Sequence, residues 1–452
     1  MQGDIVRTPD VLVRRIFQPL WDVYEGSIRL RTLRELEKSQ WHSRHQLQEA
    51  ANHKLRRMCR HAVATSAFYR RRFAEAGIDP AGVRSIADLA DLPLLTKADV
   101  RENLDDLLST SYRREDLTPA KTGGSTGVSL NVFCDARGIE RRNAAALRSD
   151  RWSGWEMGQP LAAVWGNPPT PTTLKNKLRW HLKDRIIYLD TMRIDDAAIE
   201  NFIGQWRRVR PGLLFGHAHS IFILAEALRR RGVALRPTGI VATSMMLLEP
   251  ERKVIEQVFG VPVTNRYGCE EVSLIGCECE QHHGMHLNLD HNIVEFLDDG
   301  GKPCAAGQDG RIVVTELINF GMPMIRYEVG DRGVPSDRAC PCGRGLPLME
   351  SITGRTADFL VASDGSRVAG ISIIENSLTR FAGIRQLQII QEEPLLLIVN
   401  VVYDADADPQ TEAQLLGALR GMLGESLQFT VNHVPAIPQE KSGKYRFTIC
   451  RL

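Results

Sequence analysis

The sequence predicts an α/β protein of two domains, a large N-terminal domain of residues 1–355 and a small α+β C-terminal domain of residues 356–452. Three successive patterns carry this prediction. Apolar residues first recur at helical spacing, then short apolar segments alternate with helical ones, and finally one long apolar run precedes a helix-like segment. The chain has 452 residues, too many for one simple core but suited to one large and one smaller domain.

Residues 1–115 are predicted to be mostly helical. Apolar residues recur every three or four positions through LRTLRELEKSQ and LQEAANHKLRRMCRHAVATSAFYRRRFAEAG. Pro93 predicts a turn, and Thr96 is expected to cap the helix that follows it. The arginine triplets at 70–72 and 229–231 fall in helix-like stretches, where we interpret them as solvated polar faces.

Between residues 117 and 335, predicted strands alternate with predicted helices. The strands are LAAVWG, GLLFG, GIVAT, VPVTNRYG and GRIVVTEL, and the helices include HSIFILAEALRRRG and EPERKVIEQVFG. This alternation favours a large, mainly parallel sheet. In the last stretch LLLIVNVVYD predicts a strand and TEAQLLGALRGMLGESL a helix. We place the hinge between the domains near SITGRTADFL, residues 351–360.

Composition argues against several function classes. The formal charge is only +2, so no nucleic-acid or membrane partner is expected from bulk electrostatics. No apolar run approaches the roughly 18–20 residues of a membrane span, and the N-terminal residues show no apolar signal core. The nine cysteines include a Cys/His-rich patch and a Cys-Pro-Cys pair, which is typical of metal sites in a reducing compartment. We therefore expect a cytoplasmic protein.

The most informative segment is KTGGSTGVSL, residues 121–130. Its glycines allow the backbone to approach an anion, its hydroxyl side chains offer donors, and Lys121 adds a charge. The residues predicted to cradle a di- or triphosphate are Thr122, Gly123, Gly124, Ser125, Thr126 and Gly127. The segment lacks the Gly-Lys-Ser/Thr ending of a Walker loop, and a flexible turn is the alternative interpretation.

The order of these residues resembles the phosphate loop of the adenylate-forming superfamily. Further along, NRYGCEEVSLIG resembles the Tyr-Gly-x-x-Glu segment of those enzymes. The resemblance implies that Tyr267 lies against the adenine of ATP, with Gly268 beside it, and that Glu271 binds Mg²⁺. Aromatic faces stack on bases and magnesium prefers oxygen ligands, so both roles suit the chemistry.

Three later segments extend the resemblance. In PMIRYEVGDRG it implies that Asp331 accepts hydrogen bonds from the ribose, while Arg326 and Arg332 are candidates for phosphate or structural contacts. The run CGRGLPLMESITGRTADFL matches the crossover to the C-terminal domain, and its Arg355 is expected to bind ATP. The tail IPQEKSGKYRFTIC resembles a Ser-Gly-Lys segment whose lysine, here Lys444, would stabilise charge that develops at the carboxylate and the α-phosphate.

The motifs resemble most the phenylacetate–CoA ligase and CapK branch of the superfamily. This implies activation of an aryl or related carboxylic acid to its acyl-AMP with ATP and Mg²⁺, with Lys444 and Glu271 as catalytic residues. Transfer to a thiol would follow, with CoA as the first candidate and a carrier-protein thiol or an amine, in polysaccharide or secondary-metabolite biosynthesis, as alternatives. The branch is also compatible with a homodimer.

Two other function classes compete with this reading. One is a nucleotidyltransferase that leaves AMP on its target, and the other is a non-catalytic binding paralogue. The presence of Glu271, Asp331 and Lys444 together argues against the paralogue, because a binding module has no physical need for all three.

The substrate wall is expected to be lined by residues placed by their position relative to the motifs: Gly216, His217, Ala218, Ser244 and Met245. The sequence departs from the family pattern at two places. Ala357 stands at a position that is acidic in the aryl–CoA ligases, and Met246 stands where a glutamate is frequent. Because the first departure lies where the hinge and the pantetheine channel are built, adenylation is predicted on firmer ground than CoA transfer, and no particular acid is implied.

The segments CECEQHHGMH (277–286) and ACPCGRG (339–345) predict a tetrahedral zinc site. By resemblance to related sequences the expected ligands are Cys279, His286, Cys340 and Cys342, with Cys277 and His283 as substitutes. Four protein ligands would fill the coordination shell, so this Zn²⁺ would be structural. Free thiols in a reducing cell are the alternative, and four further cysteines are expected to be ordinary thiols: Cys59, Cys134, Cys304 and Cys450.

Overall fold

The computed structural model describes residues 9–121, 130–166, 168–169, 172–191, 194–355, 359–365, 367–369, 373–374, 377, 381, 383–403, 407–438 and 445–452. The predicted phosphate-loop residues 122–127, together with Ala357 and Lys444, lie outside these ranges. Within the described ranges, no helix combines the length and the apolar character needed to cross a bilayer.

The N-terminal region is helical, as predicted. Its described α-helices are α1 Asp10–Leu12, α2 Gln18–Glu25, α3 Arg29–Ser39, α4 Arg44–Thr65, α5 Ala67–Glu75, α6 Lys97–Glu102 and α7 Leu104–Leu107, with a π-turn at Val13–Phe17 and 3-10 turns at Ile86–Leu89 and Arg114–Asp116. Side-chain caps set where the helices begin: Ser43 and Gln46 form a capping box at α4, and Thr96 caps α6 as expected. Leu55 and Tyr69 pack from these helices into the main core.

An 11-stranded sheet forms the centre of the large domain, in the order β10-β11-β12-β13-β9-β8-β7-β6-β5-β3-β4. Its strands are β3 Leu161–Trp165, β4 Ile186–Asp190, β5 Leu213–His217, β6 Gly239–Thr243, β7 Val263–Cys269, β8 Ser273–Glu278, β9 Met285–Leu287, β10 Asn292–Leu297, β11 Gly310–Glu316, β12 Tyr327–Ser336 and β13 Leu348–Arg355. A separate hairpin pairs β1 Thr118–Lys121 with β2 Asn131–Cys134. The remaining helices of the domain are α8 Ala136–Trp152, α9 Leu174–Arg179, α10 Asp196–Val209, α11 Ala218–Arg231 and α12 Glu249–Phe259, with a π-turn at Trp180–Asp184.

Less than half of this sheet is parallel, so the prediction of a mainly parallel sheet is wrong. Strands β4, β3, β5, β6 and β7 run parallel, and α10, α11 and α12 connect successive strands among them, as the alternation predicts. Every pairing from β7 to β10 across the other half of the sheet is antiparallel. A parallel pair needs a long crossover, usually a helix, whereas β7 to β13 follow one another through helix-free links.

The C-terminal residues form a four-stranded sheet and one described helix, in agreement with the predicted α+β class. The strands are β16 Ile384–Glu393, β17 Leu396–Tyr403, β18 Gln428–His433 and β19 Thr448–Cys450 in the order β18-β17-β16-β19, the helix is α13 Thr411–Leu423, and β14 Phe359–Val361 pairs with β15 Arg367–Ala369. The core of this domain continues into the large domain, since Leu248 belongs to the same buried cluster as Leu387 and Leu397. Strand β13 ends at Arg355, next to the predicted boundary, which stays a prediction.

Candidate active site

The residues predicted to form the substrate wall meet at the carboxyl ends of β5 and β6. His217 is the register partner of Thr243, so Ala218 and Ser244 directly follow the ends of two neighbouring strands. Gly216 is needed here, because a Cβ at that position would lie 2.5 Å from the carbonyl oxygen of Val164 on β3. The carboxyl edge of the parallel strands is where α/β sheets usually bind ligands, so this placement supports a pocket.

Aromatic side chains form one face of this wall. The ring of Trp165, at the end of β3, stacks on Phe215 at a centroid distance of 5.3 Å and lies 4.1 Å from the imidazole of His217. His217 is only 1% exposed. Met245 packs against both the helical core of the large domain and the core of the C-terminal domain. The wall is therefore largely apolar and lies beside the domain interface.

The predicted nucleotide-binding residues converge on a second cluster. The hydroxyl of Tyr267 on β7 donates to the carboxylate of Asp331 on β12 at 2.7 Å. These strands stand four places apart in the sheet, about 19 Å if it were flat, so the sheet must curve around this point. Arg355 is the register partner of Asp331 on the adjacent strand β13. The structure thus brings Tyr267, Asp331 and the backbone of Arg355 together.

The predicted magnesium ligand Glu271 lies beside this cluster and is 6% exposed. The Tyr327 hydroxyl donates to its Oε1 at 2.8 Å. Burial, followed by the negative charge of Glu271, raises the pKa of the Tyr327 phenol, so the phenol keeps its proton and remains a donor. One carboxylate oxygen is thereby fixed in direction, an arrangement that suits an oxygen ligand for a hard cation.

Arg142 on α8, which no sequence motif singles out, contacts the backbone of the predicted magnesium ligand. Its guanidinium binds the fully buried carboxylate of Glu316 at 2.7 and 2.8 Å and donates to the backbone carbonyl of Glu271 at 2.7 Å. Burial alone would lower the pKa of Arg142, but the Glu316 carboxylate outweighs it and raises that pKa. This permanent cation positions the backbone that presents Glu271. Nothing in the local sequence distinguishes Arg142 from Arg141.

Arg326 and Arg332, the candidates for phosphate or structural contacts, both make structural contacts. The Arg326 guanidinium pairs with Glu295 at 3.0 Å and donates to three backbone carbonyls, those of Leu89, Ala90 and Leu92. Arg332 pairs with Asp309 and Asp299. The predicted phosphate loop lies outside the described residues, but its two ends are held together, since Lys121 and Asn131 are register partners in the β1–β2 hairpin.

The four residues predicted to bind zinc converge. The possible ligand atoms of Cys279, His286, Cys340 and Cys342 all lie within 4.8 Å of one another. The Sγ atoms of Cys279 and Cys340 are 3.6 Å apart, and His286 Nε2 lies 3.3 Å from Cys342 Sγ. The substitutes Cys277 and His283 are not part of this group of described residues.

The surroundings of His286 suit a metal ligand. Its Nδ1 lies 3.4 Å from the carbonyl oxygen of Leu346 and can donate to it, which leaves Nε2 directed at the thiols. Burial lowers the pKa of His286 to about 4, so the ring is neutral. Burial also raises the pKa values of the Cys279 and Cys340 thiols. At Cys342 that effect is outweighed by hydrogen bonds from Arg344, and the pKa is lowered.

Known proteins resemble this chain in sequence and in fold. The family model of the CapK C-terminal domain matches residues 360–451. A phenylacetate–coenzyme A ligase of Thermus thermophilus is 29% identical over 325 residues, covering 70% of this chain and 72% of that protein. Protein CapK of Staphylococcus aureus is 24% identical over 374 residues, covering 81% of each.

The fold agrees with these relatives. The crystal structure of a 2-hydroxyisobutyryl-CoA ligase in its postadenylation state superposes with a TM-score of 0.73, at 20% identity and 89% coverage of both chains. The same ligase in its thioesterification state gives a TM-score of 0.60, at 21% identity and the same coverage. The sequence relatives and this shared fold together indicate the class: an adenylate-forming enzyme. Within that superfamily the chain is similar to the phenylacetate–CoA ligases and to CapK, and its residues 360–451 match the CapK C-terminal domain family.

Proposed function

We propose that this chain uses ATP and Mg²⁺ to activate a carboxylic acid as its acyl-AMP and then transfers the acyl group to the thiol of CoA. The observation that carries the proposal is the meeting of Tyr267 with Asp331 and of Tyr327 with Glu271 where the sheet curves. The curated phenylacetate–CoA ligases that the chain resembles bear the name of this reaction class.

On the nucleotide side, Tyr267 and Asp331 would bind the adenosine. The phenol ring offers a face for the adenine, and the carboxylate accepts hydrogen bonds from ribose hydroxyls. Gly268 suits this place because any side chain there would collide with the backbone of Ser273 on β8, where the register shifts. The loop of residues 122–127 would hold the β- and γ-phosphates, and Arg355 would add a positive charge next to Asp331.

The residues around Glu271 fit a bound magnesium ion. Glu271 Oε1 is committed to Tyr327, while its backbone is held by Arg142, so the carboxylate is presented in one direction. When bound, Mg²⁺ would neutralise charge on the phosphates of ATP. The protein contributes a buried, oriented carboxylate for this purpose, which reduces the reorganisation needed on binding.

The acid would bind against Gly216, His217, Ala218, Ser244 and Met245. The aromatic face formed by Trp165 and His217 favours a flat, apolar acid such as an aryl acid, because aromatic pairs gain stacking energy beyond their buried area. Its carboxylate would point toward the α-phosphate. Lys444, at the C-terminal tail, would stabilise the charge that develops as the carboxylate displaces pyrophosphate.

The same chain would bind one structural Zn²⁺ through Cys279, His286, Cys340 and Cys342. Cys279 directly follows β8 and His286 lies on β9, whereas Cys340 and Cys342 lie in the link between β12 and β13. The metal would therefore connect two separate segments of one domain. A set of three thiols and one imidazole is a tetrahedral zinc set with no open position. The metal would therefore contribute to stability and take no part in the chemistry.

The experiment is to incubate the purified protein with ATP, Mg²⁺ and individual aryl, short-chain and amino acids, and to identify products by mass spectrometry with and without CoA. We expect an acyl-AMP in the absence of CoA and an acyl-CoA in its presence. An acyl-AMP that CoA leaves unchanged would reassign the acceptor to an amine or a carrier-protein thiol. A protein that carries a stable AMP group after the reaction would instead indicate a nucleotidyltransferase.

A further inference from the structure

The two domains meet at a buried histidine that the proposed chemistry does not use. His219, near the start of α11, is 2% exposed, and its Nδ1 is hydrogen bonded to the carboxylate of Glu251 on α12. Its Nε2 lies 2.9 Å from the side-chain amide nitrogen of Gln386, on β16 of the C-terminal domain. An amide nitrogen can only donate, so Nε2 is the acceptor and the hydrogen of the ring is on Nδ1, directed at Glu251.

This contact also holds both flanks of the segment that contains Lys444. The oxygen of the Gln386 amide accepts the backbone N–H of Ile437 at 3.0 Å, which fixes the orientation of the amide. From the other flank, the rings of Tyr445 and Phe447 stand edge-on to His219 at centroid distances of 4.4 and 4.9 Å. Tyr445 therefore contacts His219 directly, and Ile437 is connected to it through the amide of Gln386.

The surroundings of this contact favour one docked position of the C-terminal domain and also allow the two domains to separate. Leu248 is fully buried in the core of the C-terminal domain, and Met245 of the substrate wall packs beside it, so the polar bond lies in an apolar interface. An unmade hydrogen bond is costly in such a place, which defines one docked position. The bond across the interface joins two neutral groups, and Glu251 keeps its partner His219 when the domains separate. Separation of the two domains therefore leaves no buried charge without a partner.

We propose that His219, Glu251 and Gln386 are positioning residues that hold the C-terminal domain in the arrangement for adenylation. Their interdomain contact must open before the acyl group is transferred. The inference rests on the proposed two-step function. It agrees with the better superposition of this chain on the postadenylation state of the 2-hydroxyisobutyryl-CoA ligase than on its thioesterification state, with TM-scores of 0.73 and 0.60.

The test is Gln386→Leu, which removes the interdomain bond and leaves the His219–Glu251 pair intact. We expect acid-dependent pyrophosphate release to fall about tenfold, because a buried acceptor on His219 and the N–H of Ile437 lose their partner. Acyl transfer from chemically made acyl-AMP to CoA should stay within about twofold of the wild-type rate or rise. Gln386→Asn, which keeps the amide on a shorter stem, should give an intermediate loss.

The matched control is Gln391→Leu on the same strand. The Gln391 amide is also buried, but it bonds to Val361 and Pro394 within the C-terminal domain. This variant should lower the melting temperature without changing the ratio of the two half-reaction rates. Equal losses in both half-reactions of Gln386→Leu, or no loss in either, would overturn the proposal.

A second readout separates this inference from the proposed function. Small-angle X-ray scattering of Gln386→Leu should show a larger radius of gyration than the wild type, whether or not a substrate acid has been found. If the wild type activates no acid but the scattering changes as expected, the proposed function fails and the docking contact stands. Unchanged scattering together with unchanged adenylation would remove the contact from both roles.

Discussion

Two histidines of the large domain, His286 and His219, each gather side chains from distant parts of the chain, but in opposite ways. His286 faces three thiols within 4.8 Å, all in its own domain, and its second nitrogen is occupied by the backbone at Leu346. His219 has one charged partner in its own domain, Glu251, and one neutral partner across the interface, Gln386. The first arrangement suits a permanent metal tie, and the second suits a contact that opens in each catalytic cycle.

The largest expected effect concerns Lys444, which belongs to the domain that the His219 contact holds. Lys444→Ala should lower acid-dependent pyrophosphate release by roughly 10²–10³-fold, the loss expected for removing one positioned charge. The same variant should transfer an acyl group from chemically made acyl-AMP at near the wild-type rate. If both half-reactions collapse together, Lys444 stabilises the fold or both domain arrangements. If neither changes, the tail residue has no role in the first step.

The second effect tests the permanent tie at His286. The purified protein should contain about one zinc per chain, and Cys340→Ser combined with Cys342→Ser should remove it and lower the melting temperature, because a closed metal site contributes folding free energy. Each kcal/mol lost is worth about 2–4 °C in a domain of roughly 150–250 residues, and less in this larger domain. Cys450→Ser, at a cysteine outside the cluster, is the control and should keep the metal. Metal analysis that finds no zinc in fresh wild-type protein from zinc-replete cells would contradict the assignment.

A third, smaller effect concerns the buried carboxylate of Glu271. Tyr327→Phe removes the hydroxyl that donates to Glu271 and keeps the ring. A hydrogen bond to a charged group is worth about 1.5–3 kcal/mol, so adenylation should slow by about tenfold or more, with a higher Mg²⁺ requirement. Tyr69→Phe is the matched control, because its buried hydroxyl bonds only to the backbone at Pro323 and Ile325. An unchanged Mg²⁺ dependence in Tyr327→Phe would remove Glu271 from the metal site.

The last effect is on the acid stability of the large domain and leaves catalysis at neutral pH unchanged. Burial, reinforced by the Lys54 cation, lowers the pKa of His291 to about 3. An unfolded histidine titrates near 6.5, so below that pH the unfolded chain binds a proton that the folded protein does not. The free energy of unfolding should therefore fall between pH 6.5 and 3 and be unaffected by this group above 6.5. Denaturant titrations should show a weaker acid dependence in His291→Gln, and an identical dependence would contradict this origin.

The sequence predicts what is encoded locally. The strand Gly239–Thr243 and the cap at Thr96 have the predicted bounds, because periodicity and capping depend on neighbouring residues. Cys279 is predicted in preference to Cys277 as a zinc ligand, and its Sγ lies among the possible ligand atoms that converge. The predictions at residues 122–127 and at Lys444 lie outside the described residues and stay predictions.

What the sequence does not predict depends on residues that are far apart in the chain. No helices separate the strands from β7 to β13, so the sequence lacks the strand–helix alternation that predicts the parallel half. Arg142 meets Glu316 across 174 positions, Tyr327 meets Glu271 across 56, and Gln386 meets His219 across 167. No local pattern marks such partners, because each is an ordinary polar side chain until the fold buries it beside the other.

Acid activation by this chain is tested most directly by exchange of labelled pyrophosphate into ATP, which reports the first half-reaction without any assumption about the acceptor. The wild type should catalyse exchange only when Mg²⁺ and a suitable acid are both present, and Glu271→Gln should abolish most of it while the protein remains folded. Exchange that does not depend on an acid, or no exchange with any aryl, short-chain or amino acid, would contradict adenylate formation by this protein.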